Sequence, residues 1–198
     1  LHSLDSRTRP LRLVLARPGA PAQDALLPQR FSGTESVCGG FEFQVLCVSE
    51  NAHLALKDFI GVACELQIVT DQGGLRRICG IVTAAASGQS DGGLGTYKLT
   101  VRDALAVMES RRNTRVFVDQ NELDIIRILL TQWQRDHPVL AASFDYRVDD
   151  SLLGRELPRR AFTMQHDESD ASFLRRLMQR RGIAWFFHPG LASAQRQT

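Results

Sequence analysis

Residues 40–48 read "GFEFQVLCV", and in this stretch a regular alternation of side chains predicts the fold. Four apolar residues would share one face of an extended chain, namely Phe41, Phe43, Val45 and Cys47. Glu42 and Gln44 would then lie on the opposite face. An apolar residue at every second position is typical of a β-strand with one face on the core and the other in water. The stretch therefore predicts a half-buried strand.

Similar apolar runs surround this strand in the first half of the chain. Further strands are predicted at residues 11–16, 63–69, 75–85 and 96–101. The glycine pair in residues 71–74 predicts a hairpin turn, and residues 87–95 predict a second one. One short helix is predicted at residues 51–61, with Asn51 as its N-cap and Gly61 at its end. Runs of strands with a single short helix indicate a small sheet that curls into a barrel.

The second half mixes helices with strands. Residues 102–114 are polar and rich in arginine, and they are interpreted as a connector. Apolar residues at helical spacing predict a helix over 121–136 with Asn121 as its N-cap, the set being Ile125, Ile126, Leu129, Leu130 and Trp133. Short strands are predicted at 115–119, near Phe144, at 161–165 and at 183–187. A helix is predicted from Asp167 to Arg181.

The composition of the chain does not indicate a particular partner or cellular compartment. The 198 residues are 43% apolar and 23% charged, as in an ordinary globular protein. A net charge of +2 is too small to attract nucleic acid or a membrane surface by its field alone. The first twenty residues carry charges throughout and contain no apolar core of a signal peptide. No two of the four cysteines form a C-x-x-C pair, so a zinc ribbon is not indicated.

One hydrolase motif occurs in the first half. Residues 88–92, "GQSDG", match the G-x-S-x-G pattern that places a serine nucleophile between a strand and a helix. Ser90 is instead followed by a glycine-rich stretch and a predicted strand. The required strand–turn–helix context is missing, so the motif predicts a hairpin loop.

The same glycines invite a dinucleotide-binding interpretation. Gly93 and Gly95 would leave Lys98 at the position where the G-x-G-x-x-G pattern requires its third glycine. The pattern is therefore incomplete, and no cofactor is predicted.

A stronger candidate for chemistry is the acidic segment at residues 166–170, "HDESD". Histidine, carboxylates and a hydroxyl are the groups that metal sites and hydrolytic sites use. His166 and Asp170 would share a face only if both were helical, and the segment before them alternates like a strand. No second cluster supplies further ligands, and carboxylates adjacent in sequence do not face each other across a substrate.

The acidic segment also fits the start of a helix. Asp167 or Ser169 can cap the first turn, and Glu168 and Asp170 place negative charge at the positive end of the helix dipole. Four arginines then lie near the other end, at positions 175, 176, 180 and 181, and Gly182 can end the helix. The sequence thus predicts a capping role and no catalytic or metal residue here.

Arginines are concentrated in residues 111–115, 155–160 and 175–181. A nucleic-acid site would combine such a patch with interleaved aromatic residues and a strong net charge, and neither is present. These segments are interpreted as solvated faces or contacts between subunits.

Four segments, in this order, resemble a known family: 30–61, 76–108, 110–130 and 164–187. The chain is similar to the N-terminal part of VgrG proteins, the trimeric spike of the bacterial type VI secretion system, and to the baseplate hub of contractile-tailed phages. The last segment, with "ESD", "FLRRL" and "GIAWFF", is the most specific. Departures occur at residues 38–41 and 116–120, and they do not affect the resemblance.

The resemblance implies a β-rich α+β fold of two small β-barrel-like units with short helices. It implies a disordered tail at 1–8, a first hub domain at 9–110 and a second, incomplete hub domain at 111–198. The implied function is a structural hub without catalytic, metal or cofactor sites. The implied partners are two further copies, the hexameric tube protein Hcp, baseplate components and effectors. Nucleic acid and a membrane anchor are not expected.

The resemblance also implies assembly in the bacterial cytoplasm and secretion by the type VI machine without a signal peptide. Two alternatives stay open. One is a tail hub of a phage or tailocin, which shares the fold. The other, from a different class, is a small hydrolase that uses Ser90, or Asp167 and Asp170.

Overall fold

The computed structural model describes residues 9–17, 19, 25–90, 93–154, 156–190 and 196–198. The tail predicted over residues 1–8 and most of the loop after residue 17 lie outside these ranges. Within the described residues the chain forms one six-stranded sheet, a separate two-stranded sheet and several short helices.

The first half forms an antiparallel sheet of six strands. In chain order they are β1 (Leu11–Leu15), β2 (Leu27–Ser36), β3 (Gly40–Ser49), β4 (Ala63–Val69), β5 (Leu75–Ser90) and β6 (Gly95–Arg102). Across the sheet the order is β1-β4-β5-β6-β3-β2. The two edge strands, β1 and β2, lie beside each other without a hydrogen-bonded ladder. The sheet is therefore strongly curled, like a barrel left open along one seam.

The alternation in residues 40–48 has the predicted consequence. Phe41, Phe43, Val45 and Cys47 are all buried inside the curled sheet, and Glu42 on the other face is exposed. Inward residues of the neighbouring strands complete this core, among them Leu66, Val82, Tyr97 and Leu99. Strand β2 was not predicted, because its sequence "LPQRFSGTES" is mostly polar and its side chains beyond Phe31 are exposed at the sheet edge.

The helix predicted at residues 51–61 is wrong. Only a single 3-10 turn forms there, at Leu56–Asp58. The Tyr97 hydroxyl donates to the carbonyl of Asn51 at 2.8 Å and accepts from the amide of Leu54 at 3.2 Å. These tertiary hydrogen bonds hold the backbone in place of helical ones, which local propensity cannot anticipate. Gly61 does adopt the left-handed conformation, with φ +80°.

The second half packs helices on one face of the two-stranded sheet. Its elements are α1 (Ala104–Met108), β7 (Arg112–Gln120), α2 (Glu122–Asp136), α3 (Pro138–Ser143), α4 (Asp150–Leu153), β8 (Arg160–Ser169) and α5 (Asp170–Arg181). Helices α1, α2 and α5 meet around a second core that includes Ile125, Leu129, Trp133, Phe173 and Leu177. Phe187 packs against both cores and so links the two halves.

Several predicted boundaries are corrected in this half. The predicted connector at 102–114 contains helix α1 and the first part of β7. Asp103 caps α1 by accepting from the amide of Leu105 at 2.9 Å. Strand β8 runs through the acidic segment to Ser169, so helix α5 begins three residues later than predicted. Helix α2 and its Asn121 cap are confirmed. Residues 183–187 pair with no strand among the described residues.

A β-rich α+β fold with a curled sheet and short helices is thus confirmed. The second unit differs from the expected barrel, since β7 and β8 are the only strands that pair within the described part of this half. In this half, helices pack against the two-stranded sheet at the places where a barrel would have further strands.

Gly40, at the start of β3, combines a left-handed backbone with a close neighbour. Its φ is +76°, and a Cβ on this residue would lie 2.3 Å from an Asp103 carboxylate oxygen. That oxygen accepts from the amide of Phe41 at 3.0 Å, which joins the two halves. We expect Gly40→Ala to cost about 3 kcal/mol, since it adds a displaced buried carboxylate to the strain of the left-handed region.

Gly73 offers a matched control for this prediction. Its φ is +78°, and a Cβ there would meet nothing within 4 Å. Gly73→Ala should cost about 1 kcal/mol, the backbone term alone. Urea unfolding of both variants measures the difference, and equal losses would contradict a structural role for the Gly40–Asp103 contact.

Candidate functional site

The side chains of the five residues in the acidic segment, 166–170, point in different directions and do not form one site. His166 is exposed, and Asp167 is exposed with φ +41° and pairs with Arg112 at 3.1 Å. Glu168 binds Arg176, and the Ser169 hydroxyl caps α5 by accepting from the amide of Ser172 at 3.1 Å. The capping role predicted for Ser169 is confirmed. Only Asp170 points into the interior.

Asp170 is fully buried, and its carboxylate is surrounded by hydrogen-bond donors. Oδ2 accepts from Arg111 Nε and from Trp133 Nε1, both at 2.8 Å. Oδ1 accepts from Gln165 Nε2 at 2.8 Å, from Asn113 Nδ2 at 3.0 Å and from Arg115 Nη2. The guanidinium of Arg111 also lies 4.2 Å from the centre of the Trp133 ring. We call these six residues the Asp170 cluster.

The pleat of the two-stranded sheet supplies most of these donors. On β7, Asn113, Arg115 and Phe117 face the helices, and on β8 Thr163 and Gln165 do so. Alternate residues of a strand share a face, so polar residues two apart meet the same buried carboxylate. Trp133 reaches it from α2. The Asp170 cluster therefore ties both strands to α2 and α5.

Hydrogen bonding decides the charge state of Asp170. Burial opposes ionisation of this carboxyl, but hydrogen bonds from Gln165, Asn113, Arg111 and Trp133 outweigh burial and lower its pKa. A general acid or base needs a pKa near the working pH and access to substrate. Asp170 has neither, so the arrangement holds the fold together and is unsuited to proton transfer.

Glu122, at the first position of α2, is a second buried carboxylate with two arginine partners. Its Oε1 accepts from Arg160 Nε at 2.7 Å and its Oε2 from Arg181 Nε at 2.6 Å. Burial opposes ionisation, and the bonds from Arg181 and Arg160 outweigh it and lower the pKa. This pair of ion pairs joins the start of β8 and the end of α5 to α2.

The buried cysteines are unsuited to nucleophilic chemistry. Burial raises the pKa of the Cys47 and Cys64 thiols to about 12. The thiolate is the reactive form, and at neutral pH these thiols stay protonated. They pack as small apolar side chains inside the curled sheet.

The remaining sequence motifs are dispersed. Ser90 is exposed at the end of β5, and Asp91 and Gly92 of the same motif lie outside the described residues. A Cβ on Gly95 would come within 2.8 Å of Ala52, so this glycine permits close packing and need not bind a phosphate. Among the described residues no three His, Cys, Asp or Glu side chains are grouped as a metal site would require.

Most arginines of the three arginine-rich segments are paired within the chain. Each forms an ion pair with a carboxylate of the same chain. The paired arginines are Arg111, Arg112, Arg115, Arg159, Arg160, Arg175, Arg176 and Arg181. The carboxylates are those of Glu109, Asp119, Glu122, Asp167, Glu168 and Asp170. The interpretation as solvated faces agrees with the exposed side chains of Arg112 and Arg159, and contacts between subunits stay a prediction. Their positive charge is largely neutralised by carboxylates of the same chain.

The outer face of the two-stranded sheet is apolar and exposed. Val116 and Val118 of β7 lie opposite Met164 and Phe162 of β8, and Phe162 is 67% exposed. The ion pairs Arg112–Asp167 and Arg159–Asp119 border this outer face. An apolar surface rimmed by charges is typical of an interface with another protein. No helix of the described residues is long and apolar enough to cross a membrane.

Sequence reasoning missed both buried carboxylate clusters. Arg111, Asn113 and Arg115 stand at every second position, but the residues between them, Arg112 and Thr114, are also polar, so no apolar alternation marks the cluster. Residues 115–119 were predicted only as a short strand, and the structure turns its two valines, Val116 and Val118, outward. The side chains that bind the buried carboxylate of Asp170 come from β7, α2 and β8, which are distant in sequence and meet only in the folded chain.

Comparison with known proteins supplies the family context. The family model of the phage tail baseplate hub (GPD) matches residues 34–196. The spike protein VgrG4b of the type VI secretion system of Pseudomonas aeruginosa is 32% identical over 79% of this chain. VgrG1b of the same organism is 28% identical over 88% of this chain. The chain spans only 18% and 22% of the lengths of these two relatives.

A solved structure has the same fold. The E. coli c3393 protein, described as a type VI secretion component similar to the T4 phage tail proteins gp27 and gp5, matches with a TM-score of 0.71. The match covers 89% of this chain and 45% of that chain at 19% identity. This chain therefore shares its fold with that protein over most of its length.

Proposed function

Because this chain belongs to the phage tail baseplate hub family, we propose that it is the hub part of a type VI secretion spike protein. In this role it is a structural component and has no catalytic activity of its own. The observation that carries the proposal is the family match over residues 34–196, which includes strands β3 to β8 and all the helices. The relatives VgrG4b and VgrG1b are named as spike proteins of that system.

The two buried carboxylates, Asp170 and Glu122, support a structural role because donors of the same chain already occupy them. The best candidate for chemistry, Asp170, is fully buried and surrounded by donors from its own chain. Glu122 is likewise buried between two arginines. Groups that bind substrate must be reachable and incompletely satisfied before substrate arrives. These carboxylates instead join secondary-structure elements, as a scaffold under mechanical load requires.

In the assembled spike we infer a trimer. Residues 9–110 and 111–198 would be the two hub domains, and in the full-length protein each would contribute a barrel-like unit to a ring with pseudo-sixfold symmetry. That ring would match the hexameric tube protein Hcp on one side. The exposed apolar face of β7 and β8 is available for such assembly contacts. Baseplate components and effectors are further proposed partners.

The proposed route is assembly in the cytoplasm followed by secretion through the type VI machine. This route follows from the proposed role and requires no anchor in a membrane. A phage or tailocin tail hub is the second candidate, favoured by the phage description of the matching family. The two candidates differ in the particle that incorporates the chain.

A domain exchange tests the proposed function. The matching region of VgrG4b in P. aeruginosa would be replaced by residues 34–196 of this chain, and Hcp released into the medium would be measured. We expect release within about tenfold of the parental spike, because fold and contacts of the hub are retained. A chimera carrying Asp170→Ala should release far less, since its second half is destabilised.

The contrary outcome is a chimera that accumulates as a folded trimer but releases no Hcp. Residues 34–196 would then lack the contacts that a type VI spike needs. Incorporation of the same region into a phage tail hub, measured as infectious particles, would in that case favour the second candidate.

A further inference from the structure

Four large apolar side chains lie together on the outer face of the two-stranded sheet. Val116 of β7 is opposite Met164 of β8, and Val118 is opposite Phe162. Val116, Val118 and Phe162 are each more than half exposed, and neither buried core includes any of the four. Covering such a face with a second apolar surface is favourable, because it removes apolar area from water.

Charged residues follow the same order along both strands of this sheet. Arg112 is the first residue of β7 and Asp119 is near its end, whereas Arg159 directly precedes β8 and Asp167 is near its end. Because the strands are antiparallel, each end of the sheet carries one arginine and one aspartate. They pair as Arg112–Asp167 at 3.1 Å and Arg159–Asp119 at 3.4 Å, and all four side chains are more than half exposed.

The two aspartates depart from the alternation of their strands. Odd-numbered neighbours turn toward the helices, as Arg115 does toward α2 and Gln165 toward Asp170 of α5. Asp119 and Asp167 are also odd-numbered, but their φ values are +50° and +41°, and a left-handed residue interrupts the pleat of a strand. Their carboxylates are in water, where a charged group of another molecule can reach them.

A two-fold axis relates this pattern of side chains to itself. The axis lies in the plane of the outer face and crosses both strands at the level of Phe117. It places β7 of one copy over β7 of a second copy, with the two strands antiparallel. Val116 then lies over Val118 of the second copy, and Phe162 lies over Met164 of the second copy. Two sheets that pack face to face in this way resemble the two layers of a β-sandwich.

The same axis brings opposite charges together at both ends of the sheet. The end that carries Arg112 and Asp167 meets the end of the second copy that carries Asp119 and Arg159. Arg112 therefore faces Asp119 of the second copy, and Arg159 faces Asp167 of the second copy. Each arginine can contact this aspartate and keep its own, so the charges of the outer face are complementary to themselves.

We propose that free copies of this chain associate in pairs through the outer face of β7 and β8, related by this two-fold axis. A second copy is the occupant because the face matches itself in its apolar rows and in its charges. With two positive and two negative groups at its rim, the face favours no partner of a single sign. The inference concerns the free chain and goes beyond the proposed function, since a two-fold contact differs in symmetry from a trimer.

The size of the outer face predicts a weak pair. Four apolar side chains from each copy form an interface at the low end of specific contacts, so we expect a dissociation constant between about 10 and about 100 µM. The rim charges are exposed and already paired within each copy. They therefore set the orientation of the two copies more than the strength of the contact.

Sedimentation of the purified chain between about 5 and about 500 µM tests the proposal. We expect the mean mass to rise toward that of two copies. Val118→Thr with Phe162→Thr changes one opposed pair on the outer face and should raise the dissociation constant at least about tenfold. Val69→Thr with Leu75→Thr is the matched control, because these two exposed residues are opposed on β4 and β5. It should change the dissociation constant by less than about twofold.

Cross-linking tests the orientation of the two copies. In a Cys38→Ser background, which removes the exposed native thiol, one chain carries Val116→Cys and another carries Val118→Cys. The two-fold axis places these positions over each other, so a mixture should form disulfide-linked pairs at least about threefold faster than either chain alone. Equal rates in the mixture and in the separate chains would contradict the antiparallel arrangement.

Three sedimentation results would overturn the proposal. The chain could remain a monomer at about 500 µM, or the two double variants could weaken association equally. A species of three copies that Val118→Thr with Phe162→Thr abolishes would assign the outer face to a trimer contact. Urea unfolding of both double variants shows whether the fold is retained, so a lost pair is not confused with a lost fold. None of these results involves release of Hcp, so they are distinguishable from a failure of the domain exchange.

Discussion

Asp170→Asn is expected to lower the free energy of unfolding by about 3 to 5 kcal/mol, as is found when one member of a buried ion pair is removed. The substitution keeps the side-chain shape but exchanges one acceptor oxygen for an NH2 group. Oδ1 faces Asn113, Arg115 and Gln165, and Oδ2 faces Arg111 and Trp133, so either orientation of the amide places a donor against donors. A loss of this size is a large fraction of the stability of a typical domain.

Asp167→Asn is the matched control for this prediction. Asp167 lies three positions earlier and also pairs with an arginine, but its side chain is 74% exposed. Asparagine tolerates its left-handed backbone, so strain is not introduced. Exposed pairs contribute little, and we expect no resolvable change in urea unfolding. Equal losses in the two variants would show that burial of Asp170 is not what makes it important.

The acid dependence of stability gives Asp170→Asn a second signature. The pKa of Asp170 is lowered from its ordinary value of 3.8, so its stabilisation is present above pH 3.8 and is lost as pH falls through the folded pKa. Asp103 has the opposite sign, because burial raises its pKa and stability therefore rises as pH falls through its window. Removing Asp170 should flatten the loss of stability that accompanies a fall of pH below 3.8. An unchanged slope would contradict the assignment.

The sequence predicted best where local pattern and burial agree. The strand at 40–48 and helix α2 both have a regular apolar period, and both are found with the expected residues inside. The sequence failed where long-range hydrogen bonds replace local ones, as at 51–61, where the Tyr97 hydroxyl holds the backbone. It also missed β2, because most of this edge strand is polar and exposed and its few apolar residues form no regular period.

The candidate site shows the same division. Ser169 was predicted as a cap from neighbours in sequence, and the structure places it so. Asp170 was predicted to favour the helix dipole, which is local, whereas its main partners come from β7, α2 and β8. A buried carboxylate and its arginines attract one another across 55 and 59 residues of sequence, and no periodicity records such a pair. The chemistry that looked catalytic in the sequence is therefore structural because of partners that sequence spacing cannot supply.

Glu122→Gln is the second variant for which we expect a large loss, about 3 kcal/mol or more, because it leaves two arginines facing one neutral amide in a buried site. Glu109→Gln is the matched control: Glu109 also accepts from two arginines, Arg175 and Arg102, at 3.0 and 3.1 Å, but its side chain is 34% exposed. Water can replace the lost bonds there, so a cost of about 1 kcal/mol or less is expected.

A double-mutant cycle with Arg181→Met separates the Glu122 pair from packing. If the ion pair between α2 and α5 carries the effect, the two single losses will not add, because the second substitution removes an arginine that the first has left unpaired. We expect the double variant to be more stable than the sum of the single losses predicts, by at least about 1 kcal/mol. Strict additivity would mean that Glu122 and Arg181 act independently, and the link between the start of α2 and the end of α5 would then depend on the apolar core alone.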